Sequence, residues 1–140
     1  MQRHLQQLSD EISAYNIESD IWKIEGKIAN TAGNLCLHLC GNLRHFIGTI
    51  LGNSGYKRDR EAEFATKDVP VNELLELIDK TKDEMDRTLK SLDEASLLKE
   101  YPIQVLGGPM TTEYFLIHLT SHLGYHLGQI NYHRRILEKR

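Results

Sequence analysis

Cysteine is nearly absent: the 140 residues hold two, Cys36 and Cys40. Two cysteines build no disulfide framework, and an i,i+4 pair on one helix is poorly placed for a disulfide. Both are read as small buried hydrophobes. No apolar run reaches the roughly 18 residues of a membrane span. No apolar segment with a cleavage site follows Met1, so a soluble, cytoplasmic chain is expected. Basic residues are not in excess. Lys and Arg number 17 against 20 Asp and Glu, a formal net charge of −3, which argues against a non-specific nucleic-acid binder. Strand signals are missing too, with no sustained alternation and no Asn-Gly or Asp-Gly hairpin turn. There is no internal repeat and no low-complexity tract. Hydrophobic residues at 40% and charged residues at 26% exclude a disordered chain. The length fits one domain, residues 1–140, able to bury a core without staples.

What remains is helical periodicity. A first segment spans about Gln2 to Tyr15, with Leu5, Leu8 and Ile12 inward, and a connector from Asn16 to Gly26 carries Trp22. A second spans about Thr31 to Leu51, with Leu35, Leu39, Leu43, Phe46 and Ile50 as its stripe. Asn30 or Thr31 is its N-cap, and Gly52-Asn53-Ser54-Gly55 ends it. A polar stretch, Tyr56 to Asp68, leads to Pro70, which opens a third segment, about Val71 to Leu92, with Leu74, Leu75, Ile78, Met85 and Leu89 inward. After a loop containing Pro102 and Pro109, in which Ile103–Leu106 could be extended, a fourth segment runs from about Thr111 to Lys139. Four such helices predict an all-α chain, a four-helix bundle. The loops after segments two and three are long for a bundle, and such loops often wall a site.

Histidine is what the chain has in abundance, seven in all, and three fall at i, i+4 and i+8: His118, His122 and His126. Each i,i+4 step turns about 40° and climbs about 6 Å, so adjacent members can share one metal ion. The outer two are about 12 Å apart along the axis, too far for a single ion. The pair is therefore His118/His122 or His122/His126. Gly124 and Gly128, which thin the helix surface, and Gln129, three residues past His126, favour the second. A third ligand has to come from another helix. His38 and His45 on segment two are the choices. His38 is preferred because it sits among apolar residues, with Asn34 and Asn42 one turn either side as orienting groups. The alternative is a set of ordinary core histidines, but each of these would need its own hydrogen-bond partner.

Three stretches carry a resemblance: Thr31-Ala-Gly-Asn-Leu-Cys-Leu-His38-Leu-Cys-Gly-Asn42-Leu-Arg44, Arg58-Asp-Arg60-Glu-Ala-Glu63-Phe64, and His118-Leu-Thr-Ser-His122-Leu-Gly-Tyr-His126-Leu-Gly-Gln129. The chain resembles the DinB/YfiT-like metalloenzymes, and more narrowly a DinB-like branch of unknown function with a His-Leu-x-Gly-Asn-Leu signature. The resemblance implies a four-helix bundle holding a divalent ion, zinc or nickel, on His38, His122 and His126, with His118 outside the ligand set. It also implies a homodimer. The better understood relatives are bacillithiol or glutathione S-transferases and a mycothiol-dependent maleylpyruvate isomerase.

Three imidazoles leave open coordination positions, the mark of a catalytic site. The first expectation is transfer of a low-molecular-weight thiol to an electrophilic small molecule, since thiolate is the nucleophile. The second is hydrolysis by metal-bound water, for which Glu63 is the only acid on the loops that could serve as base. The third is a non-catalytic, metal-stabilised bundle. Arg58 and Arg60 are candidates for binding a carboxylate of a thiol cofactor, set against a plain ion pair with Glu61 or Glu63. Tyr125 is a proton donor or a packing residue. A catalytic site further predicts an apolar pocket over the histidines, walled by both long loops.

Overall fold

The first helix, α1 (Gln2–Ser13), buries Leu5, Leu8 and Ile12 along one stripe, as the 3- and 4-residue spacing requires. This computed structural model describes residues 1–138. The expected C-terminal end of segment four at Lys139 lies outside the described residues. A short 3-10 turn (Glu18–Trp22) places Ile21 and Trp22 in the core, and α2 (Ala32–Leu43) follows. Thr31 is the N-cap of α2, its hydroxyl accepting from the Asn34 amide at 3.1 Å, a contact worth roughly 1 kcal/mol. α2 is buried on nearly all sides, only Leu37 being partly exposed. Its polar members, Asn34, His38 and Asn42, form one i,i+4,i+8 row.

Segment two does not stay α-helical. From Arg44 to Thr49 it widens into a π-helix and then stops at Gly52–Gly55, where Asn53 takes a positive φ of 49°. Seven residues are about two turns of an α-helix, but not across this wider stretch. That is why His45 does not repeat the position of His38.

The remaining elements are α3 (Arg60–Ala65), α4 (Val71–Lys90), α5 (Glu94–Leu98) and α6 (Thr112–Leu137). α3 and α5 are short helices within the stretches read as loops. Ile103–Leu106 is not a strand, and among the described residues β-type pairing is limited to the bridge between Glu100 and Thr111. That bridge closes the 101–110 loop, and buried Tyr101 pins it by donating its hydroxyl to the Phe46 carbonyl at 2.6 Å. Among the described residues the fold is all-α as expected, with six α-helices, of which α3 and α5 are short.

Side-chain pairs fix the directions. Glu11 meets Asn131 and Arg134, and Tyr15 meets His133, with His4 beside Gly124, so α1 and α6 run parallel. Arg44 meets Glu84 while Gly52 lies beside Thr88, so α2 and α4 also run parallel. His38 meets His122 while Phe46 packs on Phe115, so α2 and α6 are antiparallel. Two consecutive long helices that run parallel need a connection that travels back along the bundle. The stretch between Gly52 and Pro70 does this. Tyr56 is tied to Thr49, and Glu63 and Thr66 are tied to Asn34 near the start of α2. The length of this connection is topological, and its path takes it over the histidines.

Candidate metal centre

His38 projects from the middle of α2 and is 6% exposed. Its Nδ1 lies 3.0 Å from Glu63 Oε2. Glu63 is carried by α3, whose first turn is capped by Asp59 accepting from the Ala62 amide. Asn34 clamps α3 onto α2 by donating to the carbonyls of Glu63 at 3.0 Å and Thr66 at 2.8 Å. Gly41 completes the approach, because a Cβ there would overlap Glu63 Oε1. Arg58 then brackets the carboxylate, with Nε on Oε1 at 2.6 Å and Nη2 on Oε2 at 2.8 Å. Burial pushes the Glu63 carboxyl up, but the hydrogen bonds from Arg58 and His38 outweigh it and hold it below its ordinary value.

An ionised carboxylate only accepts, so His38 Nδ1 carries the proton and its Nε2 presents a lone pair. Arg58 Nη2 also comes within 3.2 Å of Nδ1, but its shorter bond goes to Glu63. On α6, Gln129 Oε1 sits 2.6 Å from His126 Nδ1. A carboxamide oxygen accepts, so His126 Nε2 is likewise a bare lone pair. His122 lies between them, its Nε2 3.3 Å from that of His38 and 3.1 Å from that of His126. His122 Nδ1 is buried without a partner.

This set is short of protons. A single hydrogen on His122 Nε2 satisfies one neighbour and leaves the other lone pair facing nitrogen. A cation resolves that conflict. Two nitrogens about 2.0–2.1 Å from one tetrahedral ion sit about 3.3 Å apart, close to the spacing His122 keeps to each neighbour. The three ligand atoms lie within 4.8 Å of one another, and among the described residues no further His, Cys, Asp or Glu joins them. Burial and the neighbouring histidines push His122 down to about 4, and burial lowers His126 against an opposing bond from Gln129. Both rings are therefore neutral, and able to donate, at pH 7.

The cluster opens into a cleft of about 530 Å³ whose walls include Phe46, Phe64, Arg58, Arg60, Asn30 and Asn42. This corrects two expectations. The cleft is mixed, with two phenylalanines against two arginines, and not simply apolar. Of the two long loops only the crossover walls it, since the 101–110 loop packs elsewhere. Asn34 and Asn42 do not orient His38 either. Asn34 holds α3, and Asn42 Oδ1 is buried with no partner on the cleft wall. The orienting group is Glu63, whose signal was the acid beside Phe64 in a polar stretch and the need of a buried imidazole for an acceptor.

The other histidines are placed elsewhere. His118 is exposed, stacked on Phe115 at 5.8 Å, so the three-membered stripe of α6 does not all face inward. His45 packs on Phe46. His133 is a satisfied core residue, its Nε2 donating to the Lys23 carbonyl at 2.8 Å and its Nδ1 accepting from the Tyr15 hydroxyl at 2.7 Å. His4 lies near Gly124, on the far side of α6 from the cluster. Arg58 is committed to Glu63, the ion-pair reading, while Arg60 is exposed with its guanidinium 5.9 Å from the Phe64 ring. Tyr125 is 66% exposed, beside His126. Cys36 and Cys40 are free and buried, as read from sequence.

The fold is shared with a crystal structure of a DinB-like protein from Bacillus cereus ATCC 10987, at a TM-score of 0.75 over 96% of this chain and 86% of that one. Identity is 17%, so the likeness extends to the fold. No curated protein matches the chain. A family model described as a protein of unknown function, DUF1572, matches residues 1–140, and the chain belongs to that family.

Proposed function

We propose that the protein is a divalent-metal-dependent enzyme, with zinc or nickel on His38, His122 and His126, that joins a low-molecular-weight thiol of the bacillithiol or glutathione type to an electrophilic small molecule. The observation that carries this reading is the convergence of three Nε2 lone pairs, two with their tautomers set by Glu63 and Gln129, at the floor of an open cleft. A divalent ion held by His38, His122 and His126 would supply positive charge that favours the thiolate form of a thiol in the cleft. Arg60 is free to fork onto a carboxylate of the thiol. Phe46 and Phe64 offer the electrophile apolar surface beside the histidines. In the reaction the thiol gives its proton to solvent, a sulfur–carbon bond forms, and the electrophile's leaving group departs with the displaced electron pair.

Glu63 bears on the choice between transfer and hydrolysis. Both its oxygens are occupied and its carboxyl is held ionised by Arg58 and His38, so it is badly placed to shuttle protons from water. Three histidines with no fourth ligand beside them among the described residues count against a purely structural ion. Association of two copies is supported by the exposed face of α6, where Tyr114, Ile117, Tyr125 and Tyr132 are each more than 60% exposed. Glycines of α2 and of its π-helical extension are not available for it, since Gly33, Gly41 and Gly48 already meet Trp22, Glu63 and Glu84.

The test is metal content of untagged protein purified without nickel resin. About one ion per chain in the wild type and none in His122→Ala is expected. Metal-loaded protein is then assayed for loss of thiol against electrophiles. No metal in the wild type and none taken up on titration would end the enzyme reading.

A further inference from the structure

A second cavity, about 410 Å³, adjoins the histidine cleft. Asn30 lines both. Gln129, which sets the tautomer of His126, also faces this second space. The two helices of the cleft continue into it in opposite directions. On α2, Leu35 lies one turn before His38, and on α6, His133 and Ile136 lie two to three turns after His126, about 10–15 Å along the axis. The cavity walls include Ile28, Ala29, Leu35, Tyr132 and Ile136. His133 reaches it with both ring nitrogens taken, and its other polar walls include Lys27, Asn30 and Gln129, of which Lys27 and Gln129 are exposed. A cleft of mixed polarity that shares its Asn30 wall with a mainly apolar cavity is a shape for one elongated, amphipathic molecule.

We propose that this cavity is a substrate subsite: the polar or anionic head of the substrate lies in the histidine cleft, and its hydrocarbon part crosses Asn30 to lie against Leu35, Tyr132 and Ile136. This rests on reading the cleft as the site of reaction, but the subsite contains none of the three clustered histidines and binds without a metal.

Straight-chain carboxylates from acetate to octanoate test it, titrated by amide-resolved NMR into metal-loaded and metal-free protein. Affinity is expected to rise two- to fourfold per methylene beyond the first two, the upper value being that of a fully buried methylene. Octanoate, unlike acetate, shifts the amides of Leu35, Tyr132 and Ile136. Ala29→Trp, at an exposed position on the cavity wall, abolishes the gain with chain length and leaves acetate binding unchanged. Ile136→Ser on the exposed side of α6 reduces the gain and serves as the second variant. Equal affinity for acetate and octanoate, octanoate shifts confined to other surfaces, or a full gain retained in both variants would overturn the subsite. A chain-length gain in a protein that takes up no metal keeps the subsite and removes the metal reading. Metal uptake with a flat series does the reverse.

Discussion

α2 and its π-helical extension carry the same device twice, seven residues apart, and only one copy is built into a site. In the first copy Gly41 lets Glu63 lie against the helix, Arg58 neutralises the carboxylate, and His38, three residues before the glycine, takes its remaining hydrogen bond. In the second, Gly48 admits Glu84, Arg44 bonds it at 2.9 Å, and His45 again stands three residues before the glycine. Yet His45 turns to Phe46, and Glu84 Oε1 is left buried without a partner. Arg44 leans on Tyr56 at 4.2 Å. The sequence pattern is the same, but the backbone between the copies is not. The π-helix shifts the phase, and α4, which supplies Glu84, brings no imidazole. A buried carboxylate–arginine pair is thus a packing device, and becomes part of a metal centre only where the helix phase aims a histidine across the bundle at α6.

The largest expected effect separates the two histidines. His38→Ala removes one of three imidazoles and is expected to weaken zinc binding by more than about 100-fold, beyond the 10–100-fold usual for loss of an orienting partner. His45→Ala leaves the affinity within a factor of two. Competition titration with a chromophoric chelator measures both. Equal losses would mean that the phase argument for the π-helix is wrong.

Next come the carboxylates. Glu63→Gln and Glu84→Gln each strand a part-buried arginine, and each is expected to cost about 3 kcal/mol of stability, the low end for breaking a buried pair. Their effects on metal part company. Glu63→Gln lowers zinc affinity about 10–100-fold through a poorly held His38, while Glu84→Gln does not change it. Urea unfolding of the metal-free proteins, set beside zinc titrations, resolves the two quantities.

How much of this was legible in the sequence follows from what each feature depends on. The helical stripes are local, so Leu5, Leu8 and Ile12, or Leu74, Ile78 and Met85, are buried as their spacing requires. The convergence of His38, His122 and His126 was legible because i,i+4 geometry allowed few pairings and the resemblance named one. The role of Glu63 was not, because it depends on a crossover whose path is set by the parallel packing of α2 and α4, a contact between distant residues. His118 falls outside the cluster, as expected, for a related reason. An i,i+8 run turns by about 80°, so one end of the row leaves the face that the other end occupies.

Smaller effects are expected at the two glycines. Gly41→Ala and Gly48→Ala each force a fixed carboxylate to retreat, at about 1–3 kcal/mol of overpacking. Only Gly41→Ala is expected to weaken zinc binding, by a few fold, because Glu63 alone passes the displacement on to an imidazole. A matched loss in Gly48→Ala would show that the affinity follows general stability instead.

The smallest effect is in pH. Burial and the adjacent histidines depress His122 in the folded state to about 4, below the 6.5 it takes in an unfolded chain. Between those values the unfolded chain binds a proton that the folded metal-free protein refuses, so stability falls as pH drops from about 6.5 toward 4. His126, also lowered, adds to the same slope. Metal-free wild type is therefore expected to lose thermal stability across this window, and His122→Ala to lose less. The second copy on α2 supplies the control. His45 is lowered as well, by burial first and Arg58 second, but it belongs to no cluster. His45→Ala is thus expected to leave the slope nearly as in wild type. If it flattens the slope as much as His122→Ala does, the proton-poor character belongs to α2 as a whole and not to the three facing nitrogens.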